Sequence, residues 1–472
     1  MTELWRLGAR ETTQGLLAKQ FSAKEVTQSV LARIDAVNPR INALPTLMHE
    51  QALAVATVAD KARMAAGNDA YALSQLGELH GVPITIKVNV DQAGFATTNG
   101  LTALKNNIAT ENSPLVNHLL QSGAVSVGRS NTPAFSLRWF CDNDAHGRTL
   151  NPWDATLTPG GSSGGAAAAL ACGMGAIAHG NDYGGSIRYP AYACGVVGFR
   201  PSVGRVPAYN QTSAQERGIS SQIMSVQGPL ARNVDDAWLA LQIMGQGDAR
   251  CPIWVPVRWQ LPAPKNHMRV ALFTGEAAHC AHPTNIAALN LAARALQEAG
   301  YKIEPVTPPF FDEACELWRN LVWGDLRRAM PLINQLGDKS VQQNAAYFLE
   351  WVPEPTRDEY LAMLDRRLAI LRAWTVFFEQ YPVLLCPISW GATPNIDSDV
   401  QNLDRIIKLT NDQGPMLCTA MLGLPALSVP TGLVNSLPTG VQLVAARFRE
   451  DLLAKLGVII QDYCVPQTLA DI

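Results

Sequence analysis

Residues 160–198 contain eleven of the chain's 36 glycines, where an even spread over 472 residues would place about three. The same window holds two formal charges, Asp182 and Arg188, against about six expected from 37 basic and 40 acidic residues. Glycine lets backbones approach closely and accepts positive φ, but it loses more conformational freedom on folding than any other residue. A stretch built this way therefore belongs in a buried, closely packed part of a fold. The rest of the chain can supply that setting, since 47% of residues are apolar and only 16% charged. That balance excludes disorder and implies a large core. At roughly 150 residues per domain, one large domain or two to three ordinary ones fit the length.

Composition also excludes several functions. Net charge is −3 with both signs interspersed, and no Lys/Arg run could neutralise a row of phosphates, so no nucleic-acid partner is expected. Nine cysteines stand singly without a Cys-x-x-Cys pair, the pattern of buried free thiols in a reducing compartment. The opening MTELWRLGARETTQGLLAKQ mixes charges into every turn and lacks a signal peptide's apolar stretch. The nearest approach to a membrane span, residues 164–178, is Gly/Ala-rich and too short for a bilayer. A cytoplasmic protein with no membrane partner is expected, and a homodimer is left open.

Periodicity places the elements. Phe21-Ser22-Ala23-Lys24-Glu25-Val26 combines a Ser/Glu capping box with a Phe21/Val26 staple. Val26, Val30, Ile34 and Val37 continue one helical face until Asn38-Pro39, where a stop is expected. A second helix is expected over about 50–64. His80-Gly81-Val82-Pro83 opens a strand in which Ile84, Ile86 and Val88 alternate with Thr85, Lys87 and Asn89. Helices at 113–122, 233–244, 284–298 and 450–463 interleave with strands at 124–128, 268–273, 301–306, 383–386, 426–429 and 440–444. This is the alternation of an α/β sheet rather than a sandwich. Residues 311–380 read as a mostly helical insertion rich in Trp and Arg. No internal repeat or low-complexity linker marks a border, so one discontinuous α/β domain over 1–472 is expected.

Within the glycine-dense window, Thr158-Pro159-Gly160-Gly161-Ser162-Ser163-Gly164-Gly165 runs into an alanine helix at 166–171, and Gly184-Gly185-Ser186 follows, with Ser186 24 residues after Ser162. Glycines ahead of a helix leave N–H groups unpaired, where they stabilise an anion. Two serines on two such turns, with little charge around them, suit acyl transfer: one hydroxyl attacks a carbonyl while backbone N–H groups hold the oxyanion. A phosphate loop is set aside because neither G-x-x-x-x-G-K-[ST] nor G-x-G-x-x-G occurs in the window. Gly161 to Gly165 matches G-x-S-x-G with Ser163 central, but Asn151-Pro152-Trp153-Asp154 and Pro159 break the strand that motif requires. The chain contains no S-x-x-K. A glycine-rich packing region would account for the glycines and not for the paired serines.

These residues alone leave the base open. Of eight histidines, His179 lies closest in sequence, on an apolar stretch where a hydrogen-bonded core histidine is the plainer reading. His279-Cys280-Ala281-His282 resembles a metal pair but lacks further ligands and reads as a surface loop. Lys87, taken alone, reads as part of a solvated strand face.

Taken together, the motifs resemble the amidase signature family. They are Gly81-Val82-Pro83-Ile84-Thr85-Ile86-Lys87, Gly147-Arg148-Thr149-Leu150-Asn151-Pro152-Trp153-Asp154, Gly160-Gly161-Ser162-Ser163-Gly164-Gly165, Asp182-Tyr183-Gly184-Gly185-Ser186-Ile187-Arg188, Cys194-Gly195-Val196-Val197-Gly198-Phe199-Arg200-Pro201, Gly423-Leu424-Pro425-Ala426 and Gly440-Val441-Gln442-Leu443-Val444. The resemblance spans about residues 20–460. It implies a single large α/β domain, a mixed twisted central sheet covered by helices on both faces, with a signature core at about 75–230 and a C-terminal α/β part at about 381–465. It implies a Ser-Ser-Lys triad in which Ser186 is the nucleophile, Ser162 relays the proton and Lys87 is the base. It also implies a cis Gly161-Ser162 peptide, an oxyanion hole from the N–H groups of Tyr183, Gly184, Gly185 and Ser186, structural pairing of Asp182 with Arg188, and no metal or organic cofactor.

For Lys87 to accept a proton near pH 7.5, its pKa must fall about three units from ~10.4, about 4 kcal/mol of disfavoured charge. Burial among inward-pointing N–H dipoles, with no carboxylate nearby, would supply that shift. Three positions depart from the family pattern. Val88 stands where Asp commonly follows the lysine, although Asn89 and Asp91 keep the rest, and Asn181-Asp182-Tyr183 replaces the usual Thr-Asp-Thr. The expected activity is hydrolysis of a small-molecule carboxamide through a Ser186 acyl-enzyme. Two alternatives stand beside it: the glutaminase subunit of a tRNA-dependent amidotransferase, which residues 129–140 resemble less than they do stand-alone amidases, and a non-catalytic binding protein, disfavoured by the complete triad. Trp139-Phe140 and the stretch 318–323 read as core packing in preference to an aryl pocket, which leaves the acyl group open.

Overall fold

The structure, a computed structural model, describes residues 3–275 and 281–471. Eleven strands form one mixed sheet: β1 (Thr46–Leu47), β2 (Pro83–Lys87), β3 (Val125–Ser130), β4 (Ile177–Asp182), β5 (Val197–Arg200), β6 (Val226–Ala231), β7 (Arg269–Leu272), β8 (Lys302–Pro305), β9 (Val383–Cys386), β10 (Ala426–Val434) and β11 (Leu437–Ala445). Their spatial order is β1-β3-β2-β4-β6-β5-β10-β11-β9-β7-β8. Parallel pairs lie toward the two ends, β3-β2-β4 and β9-β7-β8. The strands between them pair antiparallel.

Helices cover both faces. On one face Pro114–Gln121, Val234–Met244, Pro283–Glu298 and Glu450–Cys464 pack against Ile177 and Leu443. On the other, Ala23–Ile41, Gly164–Ala171 and Arg188–Cys194 pack against Ala178, and Phe311–Leu326, Arg357–Gln380 and Gly414–Met421 pack around Val444. Adjacent residues of one strand thus feed opposite cores, as the pleat requires. A sheet covered on both sides has no wet face, and β2 is buried at every position. Lys87 is therefore buried rather than solvated, contrary to its reading in isolation, and the strand ends on it, before Val88 and Asn89.

The first capping box forms as expected: Ser22 Oγ accepts from the Glu25 amide at 3.1 Å, and the Glu25 carboxylate accepts from the Ser22 amide at 2.7 Å. That helix passes the expected stop and reaches Ile41. Pro39 lies in its last turn, where it removes a single donor, and the buried Val37 and Ile41 hold the face together. Asn38 organises the exit, its Oδ1 accepting from the Ala43 and Leu44 amides at 2.9 Å each. The 311–380 region is helical, as Phe311–Leu326, Met330–Leu336, Lys339–Trp351 and Arg357–Gln380. β10 and β11 are longer than expected and join as a hairpin through Asn435 and Ser436, at φ 51° and 63°. β1, β4, β5 and β6 fall outside the expected strands. The eight described cysteines are free thiols, six of them buried, while His279 and Cys280 lie outside the described residues. No helix among the described residues is long and apolar enough to cross a membrane.

Candidate active site

β2 and β4 are parallel neighbours, so Lys87 and Asp182, their last residues, sit at the same edge of the sheet. In such sheets, ligands gather at the carboxyl ends of the strands. The turn carrying Ser162 and Ser163 meets this edge from the side. A Cβ on Gly161 would lie 2.5 Å from the Arg138 carbonyl oxygen, and one on Gly165 2.4 Å from the Asn131 nitrogen. The glycines thus let this turn press directly on the 131–140 segment. The Gly161-Ser162 peptide is cis.

Lys87 Nζ lies 2.7 Å from Ser162 Oγ, 3.1 Å from Ser163 Oγ and 2.7 Å from Asn181 Oδ1. Burial lowers its pKa from 10.5 to about 7, against upward pulls from Cys141 and Asp182. A carboxylate therefore does bear on the lysine, contrary to expectation. Its pull is limited because two arginines already neutralise it. Arg188 Nε and Nη2 donate to the Asp182 carboxylate at 2.9 and 3.0 Å, and Arg200 Nη1 at 2.9 Å. All three side chains are fully buried. Net of its own burial, Asp182 is held far below the usual carboxylate range by these guanidiniums.

Ser186 follows Gly185, whose φ is +107°, and its carbonyl accepts from the Ser163 amide at 3.2 Å. That bond joins the two serine turns. Two indoles hold the backbone ahead of Ser186: Trp318 Nε1 donates to the Tyr183 carbonyl at 2.8 Å and Trp139 Nε1 to the Gly184 carbonyl at 3.0 Å. The Gly185 amide is engaged by Asp182 Oδ1 at 2.9 Å. Among the described residues, the amides of Tyr183, Gly184 and Ser186 donate to no other group of the chain, so three of the four expected oxyanion amides are open.

Ser186 and Gly184 open onto a cavity of about 510 Å³, mouth included, whose aromatic walls are Trp139, Tyr183, Trp318, Trp323 and Phe348. Trp139 and Trp318 stack with centroids 6.3 Å apart, and Trp323 and Phe348 at 4.2 Å. Core packing describes Phe140, and it also describes Trp318 and Trp323, which are buried in the hydrophobic core while lining the cavity; Trp139 is partly buried and lines it too. His179 is a buried core histidine bonded to Gln227 Oε1 at 2.9 Å. Ser163, Asn181 and Arg200 are neighbours of the site to which sequence reasoning attaches no role. Arg200 stands in one of the signature motifs, but nothing in the sequence pairs it with Asp182. Among the described residues, no three His, Cys, Asp or Glu side chains gather as a metal-ligand set.

The sequence profile of the Amidase family matches residues 25–454. The chain is 38% identical over 471 residues to an indoleacetamide hydrolase of Bradyrhizobium diazoefficiens, covering 97% of this chain and 87% of that one. It is 31% identical over 488 residues to the A component of a glutamyl-tRNA(Gln) amidotransferase from a Picosynechococcus species, covering 96% and 97%. Its fold superposes on a bacterial aryl acylamidase of the amidase signature enzymes with a TM-score of 0.80, at 24% identity, covering 97% and 96%. The chain belongs to the amidase signature family. It is an amidohydrolase that cleaves the C–N bond of a carboxylic acid amide.

Proposed function

We propose that Ser186, Ser162 and Lys87 form the catalytic triad of this amidase and that its substrate is an aryl-acetic amide of the indoleacetamide type. Ser186 Oγ attacks the amide carbonyl, the open amides of Tyr183, Gly184 and Ser186 receive the oxyanion, and the hydroxyl proton passes through Ser162 and Lys87 to the leaving amine. Water then releases the acid. The observation that carries this reading is the environment of Nζ. A neutral amine offers two N–H donors and one lone pair, and Asn181 Oδ1, 2.7 Å away, can only accept. With serine oxygens at 2.7 and 3.1 Å as its other partners, an ammonium could donate to all three, but burial favours the neutral amine, which is fully satisfied when one serine hydroxyl donates to its lone pair. That is the arrangement for moving a proton from serine to lysine.

The acyl group is read from the cavity. Its aromatic walls match a planar ring, and a relative 38% identical carries the name indoleacetamide hydrolase. Glutamine fits less well, because its α-amino and carboxylate charges need charged partners. Arg138, the charged lining residue, is committed to Asp399 and Asp142. One discontinuous domain in a reducing, cytoplasmic setting is the accompanying proposal, supported by the continuous sheet and the free thiols. The test is turnover of indole-3-acetamide and glutamine by wild type, Ser186→Ala and Lys87→Ala. Indole-3-acetamide hydrolysis lost by at least a thousandfold in both variants supports the reading. Near wild-type turnover in either variant overturns the triad, and preference for glutamine overturns the substrate.

A further inference from the structure

The cavity wall contains one side chain whose orientation is dictated by groups behind it. Asn344 lies one helical turn before Phe348, lines the same cavity and is 3% exposed. Its Nδ2 donates to the Asp399 main-chain oxygen at 3.1 Å and to Asp399 Oδ2 at 3.3 Å. Both of these atoms can only accept, so the amide cannot be flipped: nitrogen faces Asp399 and Oδ1 faces away from it. Asp399 is fixed in turn, because Arg138 grips its carboxylate with Nε at 2.8 Å and Nη2 at 2.9 Å. The third guanidinium nitrogen, Nη1, is held by Asp142.

Apart from Ser186 and the open amides beside it, these polar groups around the cavity are already used. The indole N–H groups of Trp139 and Trp318 go to main-chain carbonyls, the Tyr183 hydroxyl meets Ser220, and Ser136 Oγ donates to Asn99 Oδ1 at 2.7 Å. We infer that Asn344 Oδ1 is a hydrogen-bond acceptor set into the aromatic wall of the acyl cavity, and that it selects aryl-acetic amides whose ring carries an N–H donor. Arg138 and Asp399 are positioning residues that hold the acceptor in place. A ring without a donor leaves that oxygen desolvated and unpaired, the condition under which polar sites discriminate most strongly. The inference rests on the aryl-acetic reading of the cavity.

The test compares kcat/KM for indole-3-acetamide and benzofuran-3-acetamide, in which a ring oxygen replaces the N–H with little change of shape. Wild type is expected to prefer the indole by about tenfold, and Asn344→Leu to bring the ratio close to one. An independent arm needs no variant: competition by the two product acids against wild type should show the same preference in Kd. A wild-type ratio near one, or a ratio unchanged in folded Asn344→Leu, overturns the role of Asn344 while the aryl-acetic reading stands. Turnover of neither aryl amide overturns both. If Asn344→Leu does not fold, the wild-type ratio and the competition decide.

Discussion

Replacing Lys87 with Met keeps an unbranched apolar stem in the same buried slot and removes the titrating amine. In the native protein that amine titrates near 7, whereas its unperturbed value is 10.5. Below pH 7 both folded and unfolded chains hold the proton, and the native state bears the full cost of a buried charge. Between 7 and 10.5 the unfolded chain keeps a proton that the native amine has released, so stability rises with pH across that window. At 1.36 kcal/mol per unit, the two units from pH 7 to 9 amount to about 3 kcal/mol. Met does not titrate, so the unfolding free energy of wild type minus that of Lys87→Met should grow by about 2–3 kcal/mol from pH 6.5 to 9, other groups cancelling in the difference. Guanidinium unfolding of both proteins across this range measures it, with equal m-values as the control. A difference that stays constant with pH would refute the reasoning. It would mean that Asn181 and the two serines compensate the ammonium for the water it lost.

Three further outcomes are expected. The rate constant kcat/KM should rise about tenfold per pH unit below pH 7 and level off above it, as the base deprotonates; a profile flat from pH 6 to 9 would exclude Lys87 as that base. Asp182→Asn leaves the buried Arg188 and Arg200 without their carboxylate and should cost about 3–5 kcal/mol, read as a fall in melting temperature of several degrees. A variant that melts with wild type would show that Arg188 and Arg200 do not depend on this charge. Tyr183→Phe removes a hydroxyl from Ser220, which keeps its bond to Asp325 at 2.6 Å. The expected loss is about 1 kcal/mol of stability, with KM for aryl amides raised more than kcat is lowered.

Local chemistry makes some parts of this fold legible and leaves others hidden. The helix Ala23–Ile41 announces itself because its cap, staple and apolar face all lie within one continuous segment. β4 hides because the sheet is covered on both sides: Ile177-Ala178-His179-Gly180 has no alternation to read when neither face is wet. The β10/β11 hairpin hides for another reason. Its turn is Asn-Ser without the glycine that usually marks such turns, and Pro430 reads as a breaker although it sits beside a register shift in the ladder. In the site, Lys87 and the serines are visible as motifs, but their distances follow from parallel pairing of β2 and β4. Arg200 reaches Asp182 only because β5 returns beside β6, which borders β4. Hydrophobicity alone puts the aromatic residues in the core, whereas their role near Ser186 depends on where two indole N–H groups point.

Arg188 carries a consequence for how the molecule is made. Besides Asp182, its guanidinium bonds Thr419 Oγ1, Gln442 Oε1 at 2.7 Å and the Met416 carbonyl at 3.0 Å. Both serine turns leave the ribosome long before any of these partners has been synthesised. A nascent chain therefore carries Lys87, Ser162 and Ser186 around a charged side chain whose later partners do not yet exist. Completion of the site is tied to arrival of the last strand, and a chain stopped before Gln442 has Ser186, Ser162 and Lys87 but not the scaffold that seats the turn bearing Ser186.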